Sequence, residues 1–284
     1  MIISGKAKLA GVIGDPIGHS LSPRLHAHWL EVYGIDGAYV PLNVARESFA
    51  FALRGLRLTG FAGLNVTVPH KEAAFALADR VDDAARAAGA VNLLIFRDGH
   101  IEGRNTDSAG FSASLVEQLG ANALHGKTVV LLGAGGAARA VIIALDVLGV
   151  SEIRLVARSR ADSLVREMKA SVKTELKSFA FENWPEAASG AALLVNATSA
   201  GMKGKPALTL PLDPLPREAI VCDIVYNPME TPLLATARAR GHATIDGLGM
   251  LMHQAVPAFE AFFGVKPQVT PALRKLLEGV LYGG

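Results

Sequence analysis

Short apolar runs rich in β-branched residues alternate along this chain with stretches in which apolar residues recur every three or four positions. In the N-terminal third, "LAGVIG", "GAYVPLNV", "FAGLNVTV" and "AVNLLIF" predict strands, and "LSPRLHAHWLEVYG", "KEAAFALADRV" and "DDAARAAG" predict the helices that connect them. A second series follows, "TVVLLG", "EIRLVAR", "LLVNAT" and "AIVCDIV", again with helical stretches between its members. Strand and helix in alternation form βαβ units, so the expected fold is α/β with two domains built on mainly parallel sheets. The tail from "LLMHQAVPAFEAFFG" onward is helical without a strand of its own, and it is expected to pack back on the first domain.

Composition narrows the function. A chain of 284 residues can bury one large α/β core or two ordinary ones. Half of it is hydrophobic, 19% is charged and the mean hydropathy is +0.31, which is the balance of a folded chain without a disordered tail. Apolar runs such as "AVIIALDVLG" are cut by Arg139 and Asp146 before they reach the roughly 18 residues of a membrane span. The N-terminus lacks a signal-peptide hydrophobic region with a small-residue cleavage site, so a cytoplasmic location is expected. Cys222 cannot form an internal disulfide and reads as a small buried strand residue. The net charge of +2 comes from interspersed charges, which disfavours nucleic acid and favours a small-molecule partner. No metal is expected, because no metal-ligand spacing occurs and His26 and His28, two positions apart, diverge on a helix.

The second series opens on "TVVLLGAGGAARAVIIAL", a strand, a Gly-rich turn and a helix in which Gly133, Gly135 and Ala138 fit G-x-G-x-x-[GA]. Gly133 permits the tight turn, Gly135 lets the backbone approach a pyrophosphate, and the helix N-terminus offers N–H groups and a positive dipole. A purely structural glycine turn is the alternative. Which dinucleotide would bind is decided at the end of the next strand, where an NAD site usually carries an acid and an NADP site an Arg. Here the chain reads Ala157, Arg158, Ser159, Arg160, which favours NADP unless Arg158 is only a solvated charge.

In the first series, "NVTVPHKEAA" places polar and cationic residues at a predicted strand end, where α/β sheets hold ligands. Lys71 follows Pro69 at the start of a helix, a position where the dipole disfavours positive charge. It can exchange a proton with a substrate oxygen in a ketone–alcohol interconversion, or it can be an exposed Lys paired with an acid such as Glu72.

Read whole, the chain resembles the shikimate dehydrogenase family nearly end to end. The blocks are "GDPIGHSLSPRLHA", "GLNVTVPHKEAA", "AGAVNLL", "GRNTDSAGF", "GAGGAARA", "NATSAGM", "YNPMETPLL" and "DGLGMLMHQAVPAFE", in order. The resemblance implies a substrate domain of residues 1–106 and 248–284 around a Rossmann-type NADP domain of residues 107–247, as a monomer or homodimer. It implies interconversion of 3-dehydroshikimate and shikimate in aromatic amino-acid biosynthesis.

Position by position, it implies that Ser20 and Ser22 bind the substrate carboxylate, for which two hydroxyl donors suit two oxygens. Read without it, "SLSP" is a helix N-cap. Asn65, Thr67, Asn92, Tyr226 and Gln254 are implied on the substrate side; for Tyr226 a partly buried aromatic near a turn is the alternative. Lys71 and Asp107 match the catalytic pair, and Asp107 can also be read as an N-cap to a helix beginning near Ala109. The nucleotide contacts implied are Gly133, Ala134, Gly135, Gly136, Ala137, Arg158, Ser159, Thr198, Gly247 and Met250.

Three positions depart from the family pattern. Ala157 stands where Asn is common, Asp162 where a second Arg often completes the phosphate clamp, and Ser108 where Gly usually follows the catalytic acid. Arg160 is a candidate substitute for the second Arg. A broader quinate/shikimate dehydrogenase is the alternative enzyme; its relatives tend to vary the second Ser and to place an acid after the second nucleotide-domain strand, and neither feature occurs here. A non-catalytic ligand-sensing relative is disfavoured by the presence of both Lys71 and Asp107.

Overall fold

The computed structural model describes residues 3–282, which divide into two compact units: residues 3–106 with 252–280, and residues 107–251 with 281–282. No described helix is long and apolar enough to cross a membrane.

In the first unit the chain runs β1 (Lys8–Gly14), α1 (Ser22–Val32), β2 (Gly37–Asn43), α2 (Phe49–Arg57), β3 (Phe61–Val66), α3 (Lys71–Leu77), β4 (Arg80–Val81), α4 (Asp83–Ala88), β5 (Leu93–Arg97) and β6 (His100–Arg104). The strands form one sheet in the order β2-β1-β3-β5-β6-β4. β1 pairs in parallel with β2 and β3, as the alternation predicts, whereas β5 pairs antiparallel with β3 and β6. The β5–β6 hairpin turns at Asp98 and Gly99, both with positive φ (51° and 75°), the conformation an Asp-Gly pair favours because its twist matches the flanking strands.

One face of this sheet is covered by α2, whose Phe49 and Leu53 are buried with Ile13, Leu64, Val66 and Leu94. Residues 252–280 close against the same unit, in α10 (Leu248–Phe263) and α11 (Pro271–Tyr282). There Phe259 meets Trp29 edge-on with ring centres 5.3 Å apart, and the Trp29 indole donates to the Gln268 carbonyl at 3.1 Å. The close approach needs Gly63 on β3, where a Cβ would stand 2.6 Å from the Phe262 ring and 2.1 Å from the Leu94 carbonyl oxygen.

The second unit contains α5 (Asp107–Leu119), β7 (Thr128–Leu132), α6 (Gly136–Val147), β8 (Glu152–Val156), α7 (Ala161–Met168), β9 (Glu175–Phe179), α8 (Trp184–Ala188), β10 (Leu193–Asn196), β11 (Ile220–Asp223), α9 (Pro232–Ala239) and β12 (Thr244–Ile245). All its strand pairs are parallel, in the order β12-β11-β10-β7-β8-β9. The chain therefore winds outward from β7 to β9, returns beside β7 as β10, and winds outward again, the doubly wound Rossmann-type order. The central strands are covered on both faces, by α5, α6 and α7 on one side and α8 and α9 on the other, which is why their sequences are continuously apolar. Cys222 lies buried in β11, and burial pushes its thiol pKa well up.

Candidate active site

The C-terminal end of β3 carries Asn65, nearly fully buried, and its amide is held at both ends. Its Oδ1 accepts from the Tyr39 hydroxyl at 2.8 Å, and its Nδ2 donates to the main-chain oxygen of Asn92 at 3.2 Å. The Asn92 side chain continues the chain of bonds, donating from Nδ2 to Thr106 Oγ1 at 2.9 Å and to Gln254 Oε1 at 3.3 Å. Thr106 returns a main-chain N–H to Asn92 Oδ1 at 2.8 Å and its hydroxyl to the Gln254 carbonyl at 2.9 Å. At the other end Ser22 is buried beside the Tyr39 phenol. Ser22, Asn65, Asn92 and Gln254 thus share one polar cluster inside the first unit. Two of its members, Tyr39 and Thr106, are not among the sequence candidates. Thr106 has a signal, since it lies inside "GRNTDSAGF"; Tyr39 looks like an ordinary strand aromatic.

Beneath Tyr39 lies His26, fully buried, its ring stacked on the phenol with centres 3.8 Å apart and planes 4° apart. Neither ring nitrogen of His26 has a hydrogen-bond partner among the described residues, and burial lowers its pKa to about 3, so it stays neutral. Ser20 is half-buried, and its Oγ accepts from the Ser22 N–H at 3.3 Å. The helix-cap reading of "SLSP" does not hold for Ser22: α1 begins at Ser22 itself, and Leu21 occupies the cap position without a side-chain bond.

Past Asn65 the chain turns through half-buried Thr67, whose carbonyl accepts from the His70 N–H at 2.9 Å. His70 is buried against Phe49, ring centres 4.5 Å apart, with Nε2 2.7 Å from the Val44 carbonyl oxygen. That anchored residue caps α3 and makes half-buried Lys71 the first helical residue. In the second unit Asp107 is buried and is the first residue of α5, so it is not the N-cap of a helix starting near Ala109.

The strand order of the second unit reverses between β7 and β10, and the Gly-rich turn lies there. Gly133 has φ +106°, and a Cβ on it would stand 2.9 Å from Thr198 Cγ2. Ala134 leads to Gly135, which caps α6 without a side-chain bond, and a Cβ on Gly135 or Gly136 would meet nothing within 4 Å. The N-terminus of a 12-residue helix is therefore open beside Ala137, as a pyrophosphate requires. Thr198 donates its hydroxyl to Asn196 Oδ1 at 2.7 Å, and the fully buried Asn196 donates to Asp223 Oδ1 at 3.0 Å. Burial raises the Asp223 pKa, against the opposing bonds from Thr231, Val225 and Asn196.

After β8, Arg158, Ser159 and Arg160 are exposed, with Arg160 left-handed at φ 65°. Arg158 lines a cavity of about 400 Å³ together with Ala157, Phe181, Glu182, Leu208 and Thr209, a mixed apolar and polar wall that carries one cation and one carboxylate. The Asp162 carboxylate accepts from the Ser178 hydroxyl. Tyr226 is half-buried after β11; buried Gly247 packs on the Ile224 carbonyl, and Met250 packs against the core under α6.

Two family models match the chain: Shikimate dehydrogenase substrate binding domain over residues 12–94 and Shikimate 5'-dehydrogenase C-terminal domain over residues 247–277. A Shikimate dehydrogenase (NADP(+)) of Methylobacterium radiotolerans is 51% identical over 278 residues, covering 96% of this chain and 98% of its own. The chain belongs to the shikimate dehydrogenase family. Among solved shikimate dehydrogenases, one in complex with NADP+ superposes with a TM-score of 0.91 at 32% identity, covering 99% of this chain and 98% of the other. That of Thermus thermophilus, in complex with NADP(H) and shikimate, gives 0.83 at 36% identity over 97% of this chain and 99% of its own.

Proposed function

We propose that this shikimate dehydrogenase reduces 3-dehydroshikimate to shikimate with NADPH, reversibly, in aromatic amino-acid biosynthesis in the cytoplasm, as a monomer or homodimer. The observation that carries the reading is the cluster of neutral amides and hydroxyls around Asn65, Asn92 and Gln254. Such groups both donate and accept, so they discriminate alcohols on a ring in a way that charged side chains do not. We assign the substrate to residues 1–106 and 248–284 and the nucleotide to residues 107–247.

In this reading Ser20 and Ser22 donate to the substrate carboxylate, and Asn65, Thr67, Asn92, Tyr226 and Gln254 hold the ring hydroxyls and the remaining carboxylate oxygen. The open N-terminus of α6, with Gly133, Ala134, Gly135, Gly136 and Ala137, takes the pyrophosphate; Arg158 and Ser159 take the 2′-phosphate; Thr198, Gly247 and Met250 complete the nucleotide site. When bound, NADPH supplies the hydride. As negative charge grows on the carbonyl oxygen, Lys71 stabilises it and delivers the proton, with Asp107 holding Lys71 in place; in reverse the pair accepts the alcohol proton.

The test is a spectrophotometric assay of the purified protein with shikimate or quinate, each against NADP+ and NAD+. Shikimate with NADP+ is the expected best pair. Faster turnover of quinate with NAD+ would replace this reading with a quinate/shikimate dehydrogenase.

A further inference from the structure

Asn65 can recognise a ring hydroxyl only if a defined end of its amide faces the ligand, and the residue that defines it is none of those assigned above. A main-chain carbonyl can only accept, so the end of the Asn65 amide facing the Asn92 main-chain oxygen, at 3.2 Å, is Nδ2. Oδ1 therefore faces Tyr39, and the phenol must donate to it, at 2.8 Å. That commits the one phenolic proton to Asn65. With Oδ1 held by Tyr39 and one Nδ2 proton held by Asn92, the amide has its second N–H left to offer a substrate oxygen.

The fold explains how Tyr39 reaches. It lies on β2, two strands from β3, and it pairs in register with Ala10 of β1, which in turn pairs with Gly63 of β3. Ala10 and Gly63 are the small residues a phenol can cross to reach Asn65, two positions along β3. The ring is clamped by the parallel His26 imidazole and is only 7% exposed. A side chain buried this tightly and stacked on a rigid neighbour is a fixed donor.

We propose that Tyr39 is a positioning residue for substrate recognition: its hydroxyl sets which end of the Asn65 amide faces the substrate. This rests on the assignment of Asn65 to the substrate.

Tyr39→Phe removes the hydroxyl and keeps the ring against His26. Loss of one neutral hydrogen bond should raise KM for shikimate about three- to tenfold, with kcat and the KM for NADP+ changed less than about twofold. A lower melting temperature with KM for shikimate unchanged would mean packing only and overturns the proposal. In an Asn65→Ala background the same substitution should no longer move KM; an equal rise there overturns action through Asn65. Asn65→Ala alone separates the two readings. If it leaves KM unchanged, the substrate assignment fails and the Tyr39 proposal with it; if it raises KM while Tyr39→Phe is silent, only the Tyr39 proposal fails. Should Tyr39→Phe not fold, 4-aminophenylalanine at position 39 keeps both ring and donor. Wild-type KM in that variant supports the proposal, and a raised KM overturns it.

Discussion

Asn92 and Gln254 lie 162 positions apart in sequence, and the Asn92 side chain donates to Gln254 Oε1 at 3.3 Å. Thr106 ties the pair together, accepting from Asn92 Nδ2 at 2.9 Å and donating to the Gln254 carbonyl at 2.9 Å. A residue of the C-terminal helix α10 is thereby fixed to the residue just before β5. Thr106→Val keeps the shape but removes the acceptor of the Asn92 Nδ2 bond and the donor to the Gln254 carbonyl, at a cost of about 1–3 kcal/mol. Urea unfolding should report that loss, and KM for shikimate should rise with it, while Thr106→Ser should behave nearly as wild type. A Val variant equal to wild type in both measurements would remove Thr106 from the site.

What is legible in the sequence is local. The β7–turn–α6 unit follows from an apolar run, glycines at fixed spacing and a helical period, all within twenty residues, and Lys71 at a helix start follows from Pro69. β6 escapes the pattern because "HIEGR" is polar and alternates weakly; its pairing is set by the Asp98–Gly99 turn. Ser22 and Asp107 each begin a helix instead of capping one, since helix ends are placed by neighbours that a one-dimensional pattern does not contain. Tyr39 and Thr106 act through partners 26 and 148 positions away, so no spacing rule could reach them.

Arg158 lines the cavity after β8, where residues 157–160 carry no acid and Glu182 is the one carboxylate on the lining. A charge-assisted bond to phosphate contributes about 1.5 to 3 kcal/mol, so Arg158→Ala should weaken NADPH binding by about one to two orders of magnitude and leave NADH binding nearly unchanged. Titration of each nucleotide by fluorescence checks this. Equal losses for both would reassign Arg158 away from the 2′-phosphate.

The buried His26 makes a pH prediction. Its pKa falls from 6.5 to about 3 on folding because burial penalises the charged ring. Between those values the unfolded chain binds a proton that the folded one does not. Stability from this group is thus complete above pH 6.5 and is lost as pH falls toward 3, by up to about 1.4 kcal/mol per unit. His26→Phe keeps a flat ring against Tyr39 and cannot titrate, so its unfolding free energy should fall less steeply than that of wild type between pH 6 and 4, by about 1 kcal/mol per unit. Parallel slopes would mean that His26 accepts its proton without unfolding.

Lys71 and Asp107 carry the proposed proton transfer, one at the first residue of α3 and the other at the first residue of α5. General acid–base assistance contributes about 10² to 10⁴ in rate, so Lys71→Met should lower kcat by about that factor and leave NADPH binding intact, since the nucleotide is assigned to residues 107–247. Lys71→Arg should restore little, because a guanidinium keeps its charge but holds its proton too tightly, with a pKa above about 12, to exchange it near neutrality. If Asp107 works through Lys71, Asp107→Asn combined with Lys71→Met should be scarcely slower than the worse single variant, the non-additivity of groups that share one step. Fully multiplicative losses would mean that the carboxylate and the amine serve separate steps, and Asp107 would then be needed for something other than holding Lys71 at the substrate oxygen.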